Sequence, residues 1–322
     1  MSYNYGLVGI NNTQESTLST ILLDNLINFY DWGLLNKGGF ETVKIPSSGM
    51  YGGNKHILKA VQDPNYTNGQ VWQSFKENWV WESGLSTTTQ PVQISGIFVD
   101  NIFKPYGYNS SIKKYTGSGY TINYNEGKII FDTPIATTST VSLNHSYKWI
   151  KVDQAEGIPF FREIQTNSFR LDKYFLTGSG DWVQLGQTRI QLPAVLIEVV
   201  PNCKFRGYQL GGGQWADSDI VFYVLANNYT ITNDIMNIIA YQNDRTLRLY
   251  STTAVANSGH LPLDYKNELV SKSYNYPFQI DNHYFKNCFI TNTNINNVTQ
   301  FSPDLYMGTV RCSTEVEMIS LS

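Results

Sequence analysis

The sequence predicts a mainly β fold: antiparallel β-sandwiches with one N-terminal α-helix and a second short helix near residues 233–242. Three observations carry this expectation. Segments of alternating apolar and polar residues, bounded by Gly, Asn, Asp and Pro, recur from Val92 to the last residues. Only one long segment, Thr17 to Leu35, has the spacing of a helix. Charged residues make up 15% of the chain, well below the usual ~25%. Asn, Thr, Ser, Gln and Tyr replace them, and aromatics reach 14%. Such a composition suits sheet surfaces and surfaces that meet proteins or sugars.

In the helical segment TLSTILLDNLINFYDWGLL, Thr17, Thr20, Asp24, Asn28 and Asp31 form one narrow polar stripe. Leu18, Ile21, Leu22, Leu23, Leu26, Ile27, Phe29, Tyr30 and Trp32 cover the rest. A surface helix needs an apolar arc of only about 100°, so this one requires cover on more than one side, from its own β domain or from another subunit. Asn12 and Glu15 have capping-box spacing, with Ser16 as a competing cap. Gly33 and then Gly38-Gly39 mark the end.

From Phe40 to about Gln90 the signal is weaker, and VWQSFKENWVWES reads as strand rather than helix. VQISGIF is a strand followed by a Gly/Ser/Tyr-rich linker. YTINY and KIIFD flank Asn125-Glu126-Gly127 as a hairpin, with Gly127 in the left-handed region. Val141, Leu143, Tyr147 and Trp149 alternate along a long strand. RIQLPAVLIEVVP, DIVFYVL and TLRLY are further strands, and NDIMNIIAYQN is the second helix, capped by Asn233 or Asp234. MGTVRCSTEVEMISL alternates as a half-buried closing strand. The implied organisation is an N-terminal helix and irregular segment over 1–90, a small antiparallel unit over 91–155, and a main β-sandwich over 156–322.

Aromatic content argues against disorder. A net charge of −3 and a pI near 5.8 offer no basic footprint for nucleic acid. Cys203, Cys288 and Cys312 are too few and too far apart for a disulfide framework or a CxxC metal site, and read as small buried hydrophobes. No segment reads as a signal peptide or a membrane span, so synthesis in a cytoplasm is expected.

The candidate chemistry is sparse, and neither a cofactor nor a metal is expected. Glycosidase chemistry needs two carboxylates facing one another across a sugar; Asp217 with Asp219, if a strand starts there, and Glu315 with Glu317 would each share a strand face, but an alternating solvated face gives the same pattern. Asp281-Asn282-His283 has cation-binding residue types without a second cluster, and reads as a surface turn. His56, His145, His260 and His283 lack metal spacing; His145 reads as a packed, hydrogen-bonded core residue. Gly178-Ser-Gly180 lacks a nucleophile elbow's setting, and Leu210-Gly-Gly-Gly213 is a turn rather than a phosphate loop. Trp72, Trp79, Trp81, Trp182 and Trp215 are candidates for stacking sugars or bases, although core filling explains them more simply.

The run ISGIFVDNIFKPYGYNSS, then GYTINYNEGKIIFDTPIATTSTVSLNHSYKWIKV, resembles a pattern in virion structural proteins of tailed bacteriophages. LLDNLINFYDWGLLNKGGF and LYMGTVRCSTEVEMISL add to the likeness. The resemblance implies a non-enzymatic part of the neck, tail or baseplate, assembled as a ring or collar with other virion proteins. It carries over no site residues. The broad apolar helix face then makes Leu18, Leu22, Leu26, Phe29 and Trp32 the interface candidates. The rival expectation is a receptor- or carbohydrate-binding β-sandwich protein on the particle.

Overall fold

The computed structural model describes residues 17–46, 55–155, 191–200, 203–209, 212–271 and 274–318. They are mainly β. In chain order come α1 (Leu18–Asn36), β1 (Phe40–Val43), β2 (Ile57–Ala60), β3 (Val71–Gln73), β4 (Gly96–Val99), β5 (Ile102–Asn109), β6 (Lys114–Gly117) and β7 (Tyr120–Asn123). Next are β8 (Lys128–Phe131), β9 (Val141–Ser142), β10 (His145–Lys148), β11 (Lys151–Gln154), β12 (Ala194–Val199), β13 (Lys204–Gln209) and β14 (Gly212–Ala226). The remainder are α2 (Tyr229–Ala240), β15 (Thr246–Tyr250), α3 (Thr252–Ser258), α4 (Tyr276–Asn282), β16 (Tyr284–Ile295), β17 (Thr299–Ser302) and β18 (Leu305–Met318).

One sheet has the order β6-β5-β4-β9-β2-β3-β8-β7 and is antiparallel throughout. It curls until β6 and β7 lie beside one another. Its concave side holds an aromatic core that includes Trp72, Trp79, Tyr120, Tyr124 and Phe131. The β7–β8 hairpin pairs Tyr120 with Phe131 and Asn123 with Lys128, as the alternation predicts. Gly127 has φ +61, and a Cβ there would stand 2.5 Å from the Lys76 carbonyl oxygen. The turn therefore needs glycine for conformation and for space. A distant segment seals the curl: Tyr115 donates its N–H to Leu269 O and Tyr124 to Asn267 O, and Leu269 is fully buried.

The other large sheet runs β11-β12-β14-β18-β16-β15, with β13 beside β14 and β17 beside β18. Its β11–β12 pair is parallel and its other pairs are antiparallel. α1 and α2 contact its strands, sharing a core that includes Leu22, Leu26, Ile235, Ile239, Phe222 and Val310. Cys288 and Cys312 are buried free thiols in that core, as expected, and burial raises both to about 12. Cys203 is half-buried.

Several local expectations are corrected. α1 begins after Thr17, whose hydroxyl accepts from Thr20 N–H; Asn12, Glu15 and Ser16 lie outside the described residues. Gly33 does not end the helix, which runs on to Asn36. Gly38 at φ +84 ends it, with Gly38 N–H donated to Leu35 O and Gly39 N–H to Leu34 O, a Schellman closure. α2 starts earlier than expected because Asn228, not Asn233 or Asp234, caps it; its Oδ1 accepts from Thr230 and Ile231 N–H. The expected long strand at 141–149 is two short ones, β9 and β10, and Trp149 is exposed. The expected linker after VQISGIF is a β-ribbon. Asp100 and Asn101, both at positive φ, form a two-residue turn between β4 and β5, the geometry that matches strand twist.

Candidate functional site

The structure places the five α1 candidates against the chain's own sheet. Leu22 and Leu26 are 0% exposed. Trp32 is buried with Leu35, Val80 and Leu85. Leu18 and Phe29 are half-buried and pack against the same core as Leu22. The helix does receive cover on several sides, but from its own chain. The helix's polar side chains, Asn25 beside the stripe and Asp31 within it, are used as well. Asn25 Nδ2 donates to Tyr250 O, and Asn25 Oδ1 accepts from Tyr250 N–H. Asp31 and Glu82 each hold Lys148 Nζ at 2.6 Å, so α1 is tied to β10 and to the segment after Trp81. Burial pushes Glu82 up to about 7 despite the lysine. Burial acts to lower Lys148, but the two carboxylates hold it above its ordinary value.

The other candidates are distributed along the fold. Arg206 bridges Asp217 (2.9 Å) and Glu315 (2.7 Å) across β13, β14 and β18, while Asp219 accepts from the Ser313 hydroxyl. These acids form an exposed ion-pair face. Glu317 is opposite Trp215 in the β14–β18 register. Asp281 faces Arg248 at 3.9 Å, and His283 Nε2 is 2.9 Å from His260 Nδ1. Trp72, Trp79 and Trp81 are buried, and Trp215 packs beneath the Arg206 guanidinium. Trp182, Gly178-Ser-Gly180, Leu210 and Gly211 lie outside the described residues; Gly212 already pairs with Gln209. His56 is buried. His145 is the expected core histidine, with its ring 5.0 Å from that of Trp79. The expected hydrogen bonding is corrected, since neither ring nitrogen has a partner of good geometry among the described residues. Burial pushes its pKa down to about 4, the Leu143 backbone opposing.

Two further features were not read from the sequence. The first is the β5–β6 ribbon. Residues 107–113 are all exposed, and Ile102 (69%), Phe103 (47%), Tyr108 (54%) and Ile112 (58%) present apolar side chains to solvent. Pro105 and Gly107 interrupt the alternation that would have marked these residues as strand. The Asp100-Asn101 turn between IFV and IFK was the available signal.

The second is a cavity of about 250 Å³ where α1, α3, α4 and the Trp81 segment meet. Asp24 and Asn28 of α1, Tyr250 at the end of β15, and Tyr274 and Gln279 line it. Asn28 Nδ2 donates to the Tyr250 hydroxyl at 2.7 Å. Gln279, 4% exposed, donates Nε2 to His260 O and leaves Oε1 without a donor among the described residues. Burial alone raises the Asp24 carboxyl to about 6. These residues come from opposite ends of the sequence, so spacing could not reveal the site.

Comparison with protein-family models and with curated proteins returns no match. No helix among the described residues is long and apolar enough to cross a membrane.

Proposed function

We propose that this chain is a structural component of a tailed-bacteriophage particle, working in the neck or tail region through protein–protein contacts that build a ring or collar. The observation that carries the reading is the β5–β6 ribbon. Exposed large apolar side chains gathered on one supersecondary element mark an interaction surface more often than scattered single residues do. The run that resembles phage virion proteins supports the same reading, because it encodes β4, β5 and the hairpins beside them. A ring repeats one heterologous contact, and a ribbon seated on the neighbouring copy supplies one half of it.

The contact surface is therefore the ribbon rather than α1. Removing residues before Gly38 would take Leu22, Leu26 and Tyr30 out of the core, so that truncation reports folding and not assembly. The discriminating variant is Ile102→Asp with Ile112→Asp, both on exposed positions. Light scattering and negative-stain microscopy of the purified chain should show oligomers or rings. The double variant should keep its melting temperature and self-associate at least about tenfold more weakly, a loss of ~1.4 kcal/mol or more. A wild-type chain that stays monomeric at high concentration, alone and with phage neck or tail proteins, would overturn the proposal.

A further inference from the structure

The cavity between α1 and α4 has an unbalanced set of polar groups. Asn28 is satisfied by Asp24 O and the Tyr250 hydroxyl, and Asn275 by Ser83 O and Phe278 N–H. Two groups stand out: Gln279 Oε1 has no partner among the described residues, and the Asp24 carboxylate faces no cation there, its electrostatic neighbour being the neutral Tyr250 hydroxyl. Both accept hydrogen bonds and neither donates. A partly buried carboxylate with no opposing charge is costly and calls for a cation. Lys148 does not supply one. It stands 5.8 Å over the Trp81 ring, but Asp31 and Glu82 already hold its ammonium.

The walls are aromatic. Trp81, Tyr250, Tyr274 and Tyr276 line the same space, and the Tyr250 and Tyr276 rings meet edge-on at 6.2 Å. Aromatic faces attract cations and accept an alkyl stem equally well. A volume of about 250 Å³ is below the ~300 Å³ lower end of pockets for drug-sized ligands. It suits a group of four or five carbons with one charged end. A neutral sugar would satisfy the acceptors but leave the carboxylate's charge unanswered.

We infer that this cavity binds a primary alkylammonium group, with the ammonium between Asp24 and Gln279 and its alkyl stem along the tyrosine rings. The group arrives either as a free small amine or at the end of a lysine side chain. The inference does not depend on the assembly reading, because the cavity and the β5–β6 ribbon share no residues.

The test is titration calorimetry of the purified full chain with n-butylammonium, against n-butanol and methyl glucoside as neutral controls. Saturable binding of the amine is expected, with neither control binding as well. Asp24→Asn should weaken the amine by about tenfold to a hundredfold, the loss of one charge-assisted hydrogen bond, without lowering the melting temperature. Gln279→Met removes the Oε1 acceptor without setting a carboxylate against His260 O, and should weaken binding of the amine. Nα-acetyl-lysine methylamide separates the sources. If it binds as well as n-butylammonium, the site takes a lysine side chain; if only the small amine binds, the site takes free amines. Absence of binding by both amines overturns the inference. So does methyl glucoside binding better than the amine, or an Asp24→Asn chain that binds the amine unchanged.

Discussion

At the scale of single residues, Asp24 and His145 give the chain two opposed responses to pH. Asp24 titrates near 6 in the fold against 3.8 when unperturbed. Between those values the folded chain holds a proton that the unfolded chain has lost, so this residue's contribution falls as pH rises. Asp24→Asn removes that penalty. Its melting temperature should exceed wild type at pH 7.5 and match it near pH 3.5, which thermal scans at the two pH values will check. His145 acts in the other sense. Its pKa of about 4 lies below the unperturbed 6.5, so the unfolded chain takes up a proton first as pH falls. Stability from this residue is complete above pH 6.5 and is lost through pH 4, by about 3 kcal/mol at most. His145→Leu should flatten denaturant-derived stability across that window. The placement of His145 was legible, because the alternation from Leu143 to Tyr147 put it on the buried face. Its missing hydrogen bonds were not, since they depend on what Trp79 brings beside it. Asp24 looked like one more residue of a solvated stripe until α3 and α4 closed over it.

Among elements, α1 carries the clearest consequence. Its apolar excess was plain in the sequence, and the need for cover on several sides followed from geometry. Which surface supplies that cover was not legible, because β11, β12 and β15, which α1 contacts, lie more than about a hundred residues further along the chain. With Leu26 at 0% exposure in the sheet core, Leu26→Ala should cost about 2–5 kcal/mol in urea unfolding and leave the oligomeric state of the folded protein unchanged. Lys148→Met should cost about 3–5 kcal/mol, because it strands the Asp31 and Glu82 carboxylates against one another in a buried site. A double variant that also carries Glu82→Gln should recover part of that loss. The β7–β8 hairpin was readable because alternation, turn residues and the Gly127 conformation all agreed. The β5–β6 ribbon was hidden by Pro105 and Gly107, which weaken a strand pattern but are tolerated where a strand faces solvent.

Across the whole molecule, the mainly β architecture follows from local alternation, but the joining of its parts does not. Tyr115 and Tyr124 give their N–H groups to a segment at 267–269 that no short-range pattern would send there. The cavity and the Lys148 ion cluster arise at the same kind of junction, where α1 and the later helices reach the aromatic sheet. The ribbon is tied to one of these junctions through Tyr115, while its residues 107–113 are all exposed and form the surface proposed to meet other chains. Lys113, exposed in the β5–β6 turn, makes this directly measurable. Lysine-reactive cross-linking of assembled oligomers built from a mixture of isotopically light and heavy chains distinguishes contacts between copies from those within one. Inter-subunit cross-links should concentrate on Lys113. Oligomers whose inter-subunit cross-links centre on Lys37, at the end of α1, and omit Lys113 would contradict this expectation.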